Sequence, residues 1–240
     1  MKSGIGQAAY KSTEIHSCQA SYDIVASEYY DADLHPTCAD FRAASRVYLK
    51  KVFDAEAPRG RIADVGCGRS LVLEFVSKDL VLVDESRGMV QGNMGGVEVR
   101  IANIEMGSFG HEEFDWIFAI LGDPYNTPAA WGHIFEALRP KGQCIFITPS
   151  VVWAKKFRER DKGERSGFAR FVLSGGRSVY LRSLIFPVAE QRALIDRSNL
   201  KLIEVHSIFA SELPNVRSPK ISQHLSDDDP VVDVYRVSKL

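Results

Sequence analysis

The sequence predicts an α/β protein in which short apolar strands alternate with helices, and three observations predict it. In residues 61–70, Ile62, Ala63 and Val65 read as a short buried strand, closed abruptly by Gly66 and Gly68, and residues 71–77 then read as a helix. Strand, glycine turn and helix together let a ligand approach bare backbone and meet a helix N-terminus. Residues 114–121 form an apolar run of the kind buried on both faces of a parallel sheet. Between and beyond these stretches, strand-like and helix-like segments keep alternating along the chain.

Composition narrows the class. The chain has 240 residues, 45% hydrophobic and 25% charged, which suits one α/β domain with an insertion. A formal net charge of −1 gives no global field for nucleic acid or membrane, and no apolar run approaches a membrane span. Residues 1–10 lack the apolar core of a signal peptide. Cys18, Cys38, Cys67 and Cys144 are widely spaced, without CxxC or a Cys/His cluster. Free thiols, a cytoplasmic location and no metal site are therefore expected.

Residues 1–20 are polar and expected to be poorly ordered. From Tyr22, the residues Tyr22, Val25, Ala26 and Tyr29 share one helical face, a spacing that by itself favours a core-packing stripe. His35 and Pro36 end this helix, and Thr37 is expected to cap a second one running to about Phe53. His35 sits in the intervening loop, which could close over an active site. The second strand, 80–84, ends in Asp84 about 20 residues past the glycine turn, where a carboxylate can accept from ribose hydroxyls. The third, 97–101, leads to Asn103 and Ile104. Beyond the fourth strand come Gly122 to Asn126, then a helix capped by Thr127 with Pro128 in its first turn. Residues 143–148 read as a fifth strand, and a helix from Pro187 capped by Asn199 precedes two last strands, 200–206 and 231–237.

Residues 155–182 change character. They hold nine Lys or Arg against three acids, a balance of +6, with glycines that suggest mobile loops. Such a run is either a solvated face or a surface that meets an anionic partner, nucleic acid included.

Asp64, Gly66 and Gly68 give an acidic residue, any residue, Gly, any residue, Gly, which resembles motif I of the class I S-adenosylmethionine-dependent methyltransferases. Ser70 stands where that family often has another Gly, and Asn103 where it usually has Asp. A dinucleotide fingerprint would need a third glycine where the chain has Leu71. The segment 22–31 is similar to the family's N-terminal helix, which lies over the cofactor. The resemblance implies a Rossmann-like, doubly wound sheet of seven strands, mainly parallel with the last strand antiparallel, and helices on both faces. It implies a single domain over 21–240, with cap helices in 21–53 and an insertion at about 150–186.

By the same resemblance, S-adenosylmethionine, and S-adenosylhomocysteine as product, would contact Tyr22, Tyr29, Asp64, Gly66, Cys67, Gly68, Asp84, Glu85, Asn103, Ile104 and Leu121. Gly122-Asp123-Pro124-Tyr125 is similar to the Asp/Asn-Pro-Pro-Tyr motif of amino-methylating nucleic-acid methyltransferases, with one proline where that motif has two. The reading adopted is a methyltransferase acting on a small-molecule acceptor, with Asp123 and Tyr125 lining its pocket and His35 as a base. Three alternatives stay open: a nucleic-acid methyltransferase using the basic segment 155–182, a cofactor-binding regulator without turnover, and an NAD(P)-dependent oxidoreductase. Oligomeric state is not legible.

Overall fold

A computed structural model describes residues 18–93, 96–158 and 167–240, so most of the N-terminal stretch expected to be poorly ordered lies outside the described residues. In chain order the elements begin with α1 (Cys18–Val25), α2 (Pro36–Glu56), β1 (Ile62–Val65), β2 (Leu80–Asp84), α3 (Arg87–Val90) and β3 (Glu98–Ile101). They continue with β4 (Phe114–Ile120), α4 (Pro128–Ala137), β5 (Leu138–Pro149), α5 (Val151–Arg158), β6 (Phe168–Val172) and β7 (Ser178–Arg182). The chain closes with α6 (Val188–Arg197), β8 (Leu200–Phe209), α7 (Pro219–Ser222) and β9 (Pro230–Lys239).

Seven strands form one sheet in the order β3-β2-β1-β4-β5-β9-β8. β1 to β5 pair in parallel and β9 runs antiparallel to both its neighbours, so the last strand in the chain is the reversed one. β1 and β2 are buried along their whole length because both sheet faces are covered. On one face Phe41, Tyr48 and Leu49 of α2 pack on Leu82, Phe118 and Ile145. On the other, Trp131 and Ile134 of α4 and Leu194 and Ile195 of α6 pack on Val81, Ile117 and Phe146. Strand alternation assigns successive residues to opposite layers: Ile62 belongs to the first and Ala63 to the second.

Local detail departs from expectation in four places. The first helix ends at Val25, not beyond Tyr29, because the N–H groups of Glu28 and Tyr29 both close on the Val25 carbonyl and turn the chain. The second runs to Glu56 with His35 at its cap position, and Thr37 makes no cap; its hydroxyl meets Ser218 Oγ at 2.7 Å instead. Residues 71–77 hold only a 3-10 turn, Val72–Glu74. Leu71 and Val72 are both buried and Leu73, Phe75 and Val76 are half-buried against the same core, so no single apolar stripe supports a longer helix.

The fourth departure matters for the site. Residues 168–182 are a β-hairpin, β6 against β7, where loops were expected. Phe171, Val179 and Leu181 alternate to one face and pack on Val25, Tyr22 and Tyr29, which lays the hairpin over the N-terminal segment. Other expectations hold. The Thr127 hydroxyl accepts from Ala130 N–H, and Asn199 takes a left-handed φ of 59° after α6.

Asn126 fastens α4 and α6 to the end of β4. Its Oδ1 accepts from Trp131 Nε1 (2.9 Å), while its Nδ2 donates to Gln191 Oε1 (2.7 Å) and the Leu184 carbonyl (3.0 Å). No described helix is long and apolar enough to cross a membrane. Trp131 is fully buried, so Trp131→Ala should lower unfolding stability by about 3–5 kcal/mol. A denaturant titration that moves the midpoint by less than a third of that would show that the site refills.

Candidate functional site

The parallel strands end together at one edge of the sheet, which is where open α/β sheets bind ligands. β1 delivers Asp64 and then Gly66 and Gly68, both at left-handed φ (62° and 45°). Side chains are excluded there by space as well as by conformation. A Cβ on Gly66 would stand 2.8 Å from Tyr125 Cε2, and one on Gly68 would fall 2.0 Å from Tyr30 Oη.

Asp84, at the end of β2, accepts from Gly68 N–H through Oδ2 and from Ser86 N–H through Oδ1, each at 2.8 Å. Burial pushes its carboxyl up, and those two N–H groups pull it back. Ser86 Oγ donates to Asp23 Oδ1, which also takes Gly88 N–H at 3.1 Å, tying α1 to the same edge. Asp64 is the most deeply placed carboxyl. Ser70 Oγ donates to its Oδ2 at 2.5 Å, and its Oδ1 has no partner among the described residues. Burial raises its pKa to about 7.

Beside them, Glu85 Oε2 accepts from Asn103 Nδ2 (2.6 Å), and Asn103 Oδ1 accepts from Glu105 N–H (2.8 Å). Burial pushes the Glu85 carboxyl up, while the bonds from Asn103 and Tyr125 act the other way. Ile104 and Cys67 are buried.

Two cavities meet at this edge. The first holds about 50 Å³, bounded by Tyr30, Arg42, Gly66, Gly68, Asp84 and Tyr125 among others. The second is about 450 Å³ and is roofed by the β6–β7 hairpin. Tyr22, Tyr29 and Leu121 line both. Leu121 holds this dividing position at φ 55°, a left-handed conformation unusual for a branched side chain.

The expected site residues divide between the two. Tyr22, Tyr29, Gly66, Cys67, Gly68, Asp84, Leu121 and also Tyr125 line the small cavity. Asp64, Glu85, Asn103 and Ile104 stand behind or beside it, not in its lining. Asp123 and His35 line the large one. Asp123 is buried and accepts from Ser183 Oγ. His35 stacks on Phe171 with ring centroids 3.8 Å apart, and its Nε2 lies 3.8 Å from Glu28 Oε2. Burial holds its pKa below the ordinary 6.5, although Glu28 pulls the other way. Tyr125, expected beside Asp123 in the acceptor pocket, stands over Gly66 and lines the small cavity.

Sequence reasoning passed over Tyr30 and Arg42. The Tyr30 hydroxyl accepts from Arg69 N–H (2.6 Å), and its ring lies between the Arg42 and Arg69 guanidiniums at 4.9 and 4.6 Å. Tyr30 follows Tyr29 in the segment read as a helix, where that geometry would have turned it away. Arg42 carries no signal beyond a charged position in α2.

No protein-family model and no curated protein matches the chain. Solved structures do. The DhpI–SAM–HEP complex is 18% identical at a TM-score of 0.65, with 94% of this chain and 99% of that one covered. An S-adenosylmethionine-dependent methyltransferase from Clostridium acetobutylicum is 12% identical at 0.57, covering 92% and 99%. Another from Mesorhizobium loti is 15% identical at 0.52, covering 74% and 90%. The fold is that of the class I methyltransferases. Within this methyltransferase fold the small cavity occupies the carboxyl edge at β1 and β2, and the large one lies under the added hairpin.

The small cavity offers side-chain-free backbone at Gly66 and Gly68 and a carboxylate at Asp84, groups that suit an adenosyl amino acid. The space does not, while Tyr30 and Tyr125 lie on the two glycines. A volume near 50 Å³ is room for a water or two.

Asp64 also sets a pH dependence. Its pKa rises from 3.8 to about 7 on folding, so the folded state holds the proton more tightly than the unfolded one. Its contribution is complete below about pH 4 and is lost as pH climbs to about 7. Asp64→Asn should flatten that decline, seen as a smaller drop in denaturation midpoint between pH 5 and 8. An unchanged slope would assign the dependence to other groups.

Proposed function

We propose that this protein is an S-adenosylmethionine-dependent methyltransferase acting on a small-molecule acceptor. The single observation that carries the reading is the pair of adjoining cavities. One is built on the glycine turn and Asp84; the other is lined by the β6–β7 hairpin and shares Tyr22, Tyr29 and Leu121 with it. The DhpI structures were solved with SAM and with SAH, which favours the same cofactor here.

S-adenosylmethionine, when bound, supplies an electrophilic methyl whose leaving thioether needs no proton. Asp84 would accept from the ribose hydroxyls with the lone pairs that Gly68 and Ser86 leave free. Glu85, Asn103 and Ile104 are assigned to the adenine end, Tyr22 and Tyr29 to the wall toward the acceptor. The chain's main task is to hold acceptor and methyl in line, because orientation alone removes much of the barrier. Where the acceptor is a hydroxyl, its proton passes to His35, which burial keeps neutral, or to Asp123.

A small acceptor is favoured over nucleic acid because two cations of the basic segment are already engaged within the fold and the hairpin lines a cavity. Lys156 pairs with Asp229, and Arg182 pairs with Glu105. Cys38, Cys67 and Cys144 are free thiols, in keeping with a cytoplasmic location.

Calorimetry of the full chain with S-adenosylmethionine, S-adenosylhomocysteine and NAD(P) in parallel tests the cofactor. Both adenosyl ligands should bind and NAD(P) should not; Asp84→Ala should weaken them by about 1.5–3 kcal/mol without unfolding the chain. Equal affinity in a folded variant would remove Asp84 from the site. The His35 imidazole resonances should titrate below pH 6.5. A midpoint above that value would mean that Glu28 dominates over burial and that His35 is a poor base.

A further inference from the structure

The large cavity carries more information than its size. At about 450 Å³ it suits a ligand of drug-fragment to metabolite dimensions. Its walls are aromatic on two sides. Phe171 lies stacked between Tyr29, at 5.7 Å and 7°, and His35. Opposite elements supply Phe41 from α2 and Trp153 from α5, edge to face at 4.8 Å. The Trp153 side chain is more than nine-tenths buried, yet its indole N–H has no partner among the described residues. That nitrogen presents essentially no accessible surface, so it is the indole ring that the cavity meets.

Charge gives the cavity a direction. Its lining holds Arg170, Arg182 and Lys220 against one carboxylate, Asp123. Arg182 is matched by Glu105, and Lys220 is in no ion pair among the described residues. The Lys220 ammonium stands 5.5 Å over the Phe157 ring, which in turn packs 5.3 Å from Trp153, so the cation belongs to the Trp153 wall. Asp123 belongs to the other end, next in chain to Pro124 and two residues after Leu121, both of which line the small cavity. Cys38 lies within reach of both charges: Asp123 raises its pKa and Lys220 lowers it, with burial carrying it to about 12.

We propose that the acceptor is a small aromatic anion, its ring packed against Trp153 and Phe41 and its anionic group drawn to Lys220. An anion set at Asp123 would face a like charge, so the molecule enters with its anionic end outward. The opposite end, carrying the atom to be methylated, then lies at Asp123 and Leu121, beside the cofactor cavity. The assignment of this ligand as acceptor rests on the methyltransferase reading; the charge polarity and aromatic lining do not.

The test is calorimetry on the full chain, with 4-hydroxybenzoate and its neutral counterpart 4-hydroxybenzamide as probes, with and without S-adenosylhomocysteine. The benzoate should bind about tenfold tighter or better, as a charge-assisted contact allows. Lys220→Ala, at an exposed position, should erase that margin, and Lys220→Arg should keep it. Equal binding of the amide, no benzoate binding at millimolar concentration, or a preference that survives Lys220→Ala would overturn the proposal. S-adenosylhomocysteine titrated alone reports on the cofactor reading. Should it fail to bind while the anion preference holds, that reading falls, and an aromatic-anion cavity remains.

Discussion

The carboxyl edge of the sheet depends on how three carboxylates, two of them buried, are held by N–H and O–H donors. Asp84 joins the loop after β1 to the loop after β2 through Gly68 and Ser86. Asp64 holds the return of the glycine turn through Ser70, and Asp23 brings α1 onto Ser86 and Gly88. Asp64 and Asp84 are desolvated, so each needs those donors to be tolerable in the fold. In the proposed reading Asp84 would also take the ribose, and it could serve both tasks because each oxygen accepts more than one bond.

The second constraint is the aromatic seam that joins the N-terminal segment to the hairpin. Tyr22, Tyr29, Phe171 and His35 follow one another at ring separations of 6.2, 5.7 and 3.8 Å. This seam is both the wall between the cavities and the roof contact of the larger one. Tyr30, whose hydroxyl lies on Gly68, meets this seam edge to face at Tyr29, with ring centroids 5.1 Å apart. Leu121 shares that boundary and stays in a left-handed conformation that costs on the order of 1 kcal/mol or more, held by the packing around it.

Far from the edge, α2 is fixed by a contact between distant parts of the chain. Asp40 is buried and its carboxylate accepts from the N–H groups of Arg217 (3.1 Å) and Ser218 (2.8 Å). With the Thr37–Ser218 bond this docks the α7 segment onto the start of α2 and brings Lys220 to the mouth of the large cavity. The segment between the last two strands thereby contributes to the lining of that cavity.

By itself the sequence determined the α/β class, the strands, the glycine turn with Asp84 downstream of it, and the Thr127 cap, because each is written in adjacent residues. Burial on both faces makes a strand apolar throughout, and a turn at positive φ demands glycine. The hairpin was also legible in principle, as two alternating runs around Gly175 and Gly176, but the excess of basic residues masked it. Only the tertiary structure decided that residues 71–77 collapse to a single turn, since their apolar residues face a core that surrounds them. It alone placed Tyr30 on Gly68, Tyr125 at the small cavity and His35 with Asp123 at the large one. Those placements depend on contacts between residues up to 181 positions apart, as with Thr37 and Ser218, and no local pattern encodes a partner that far along the chain.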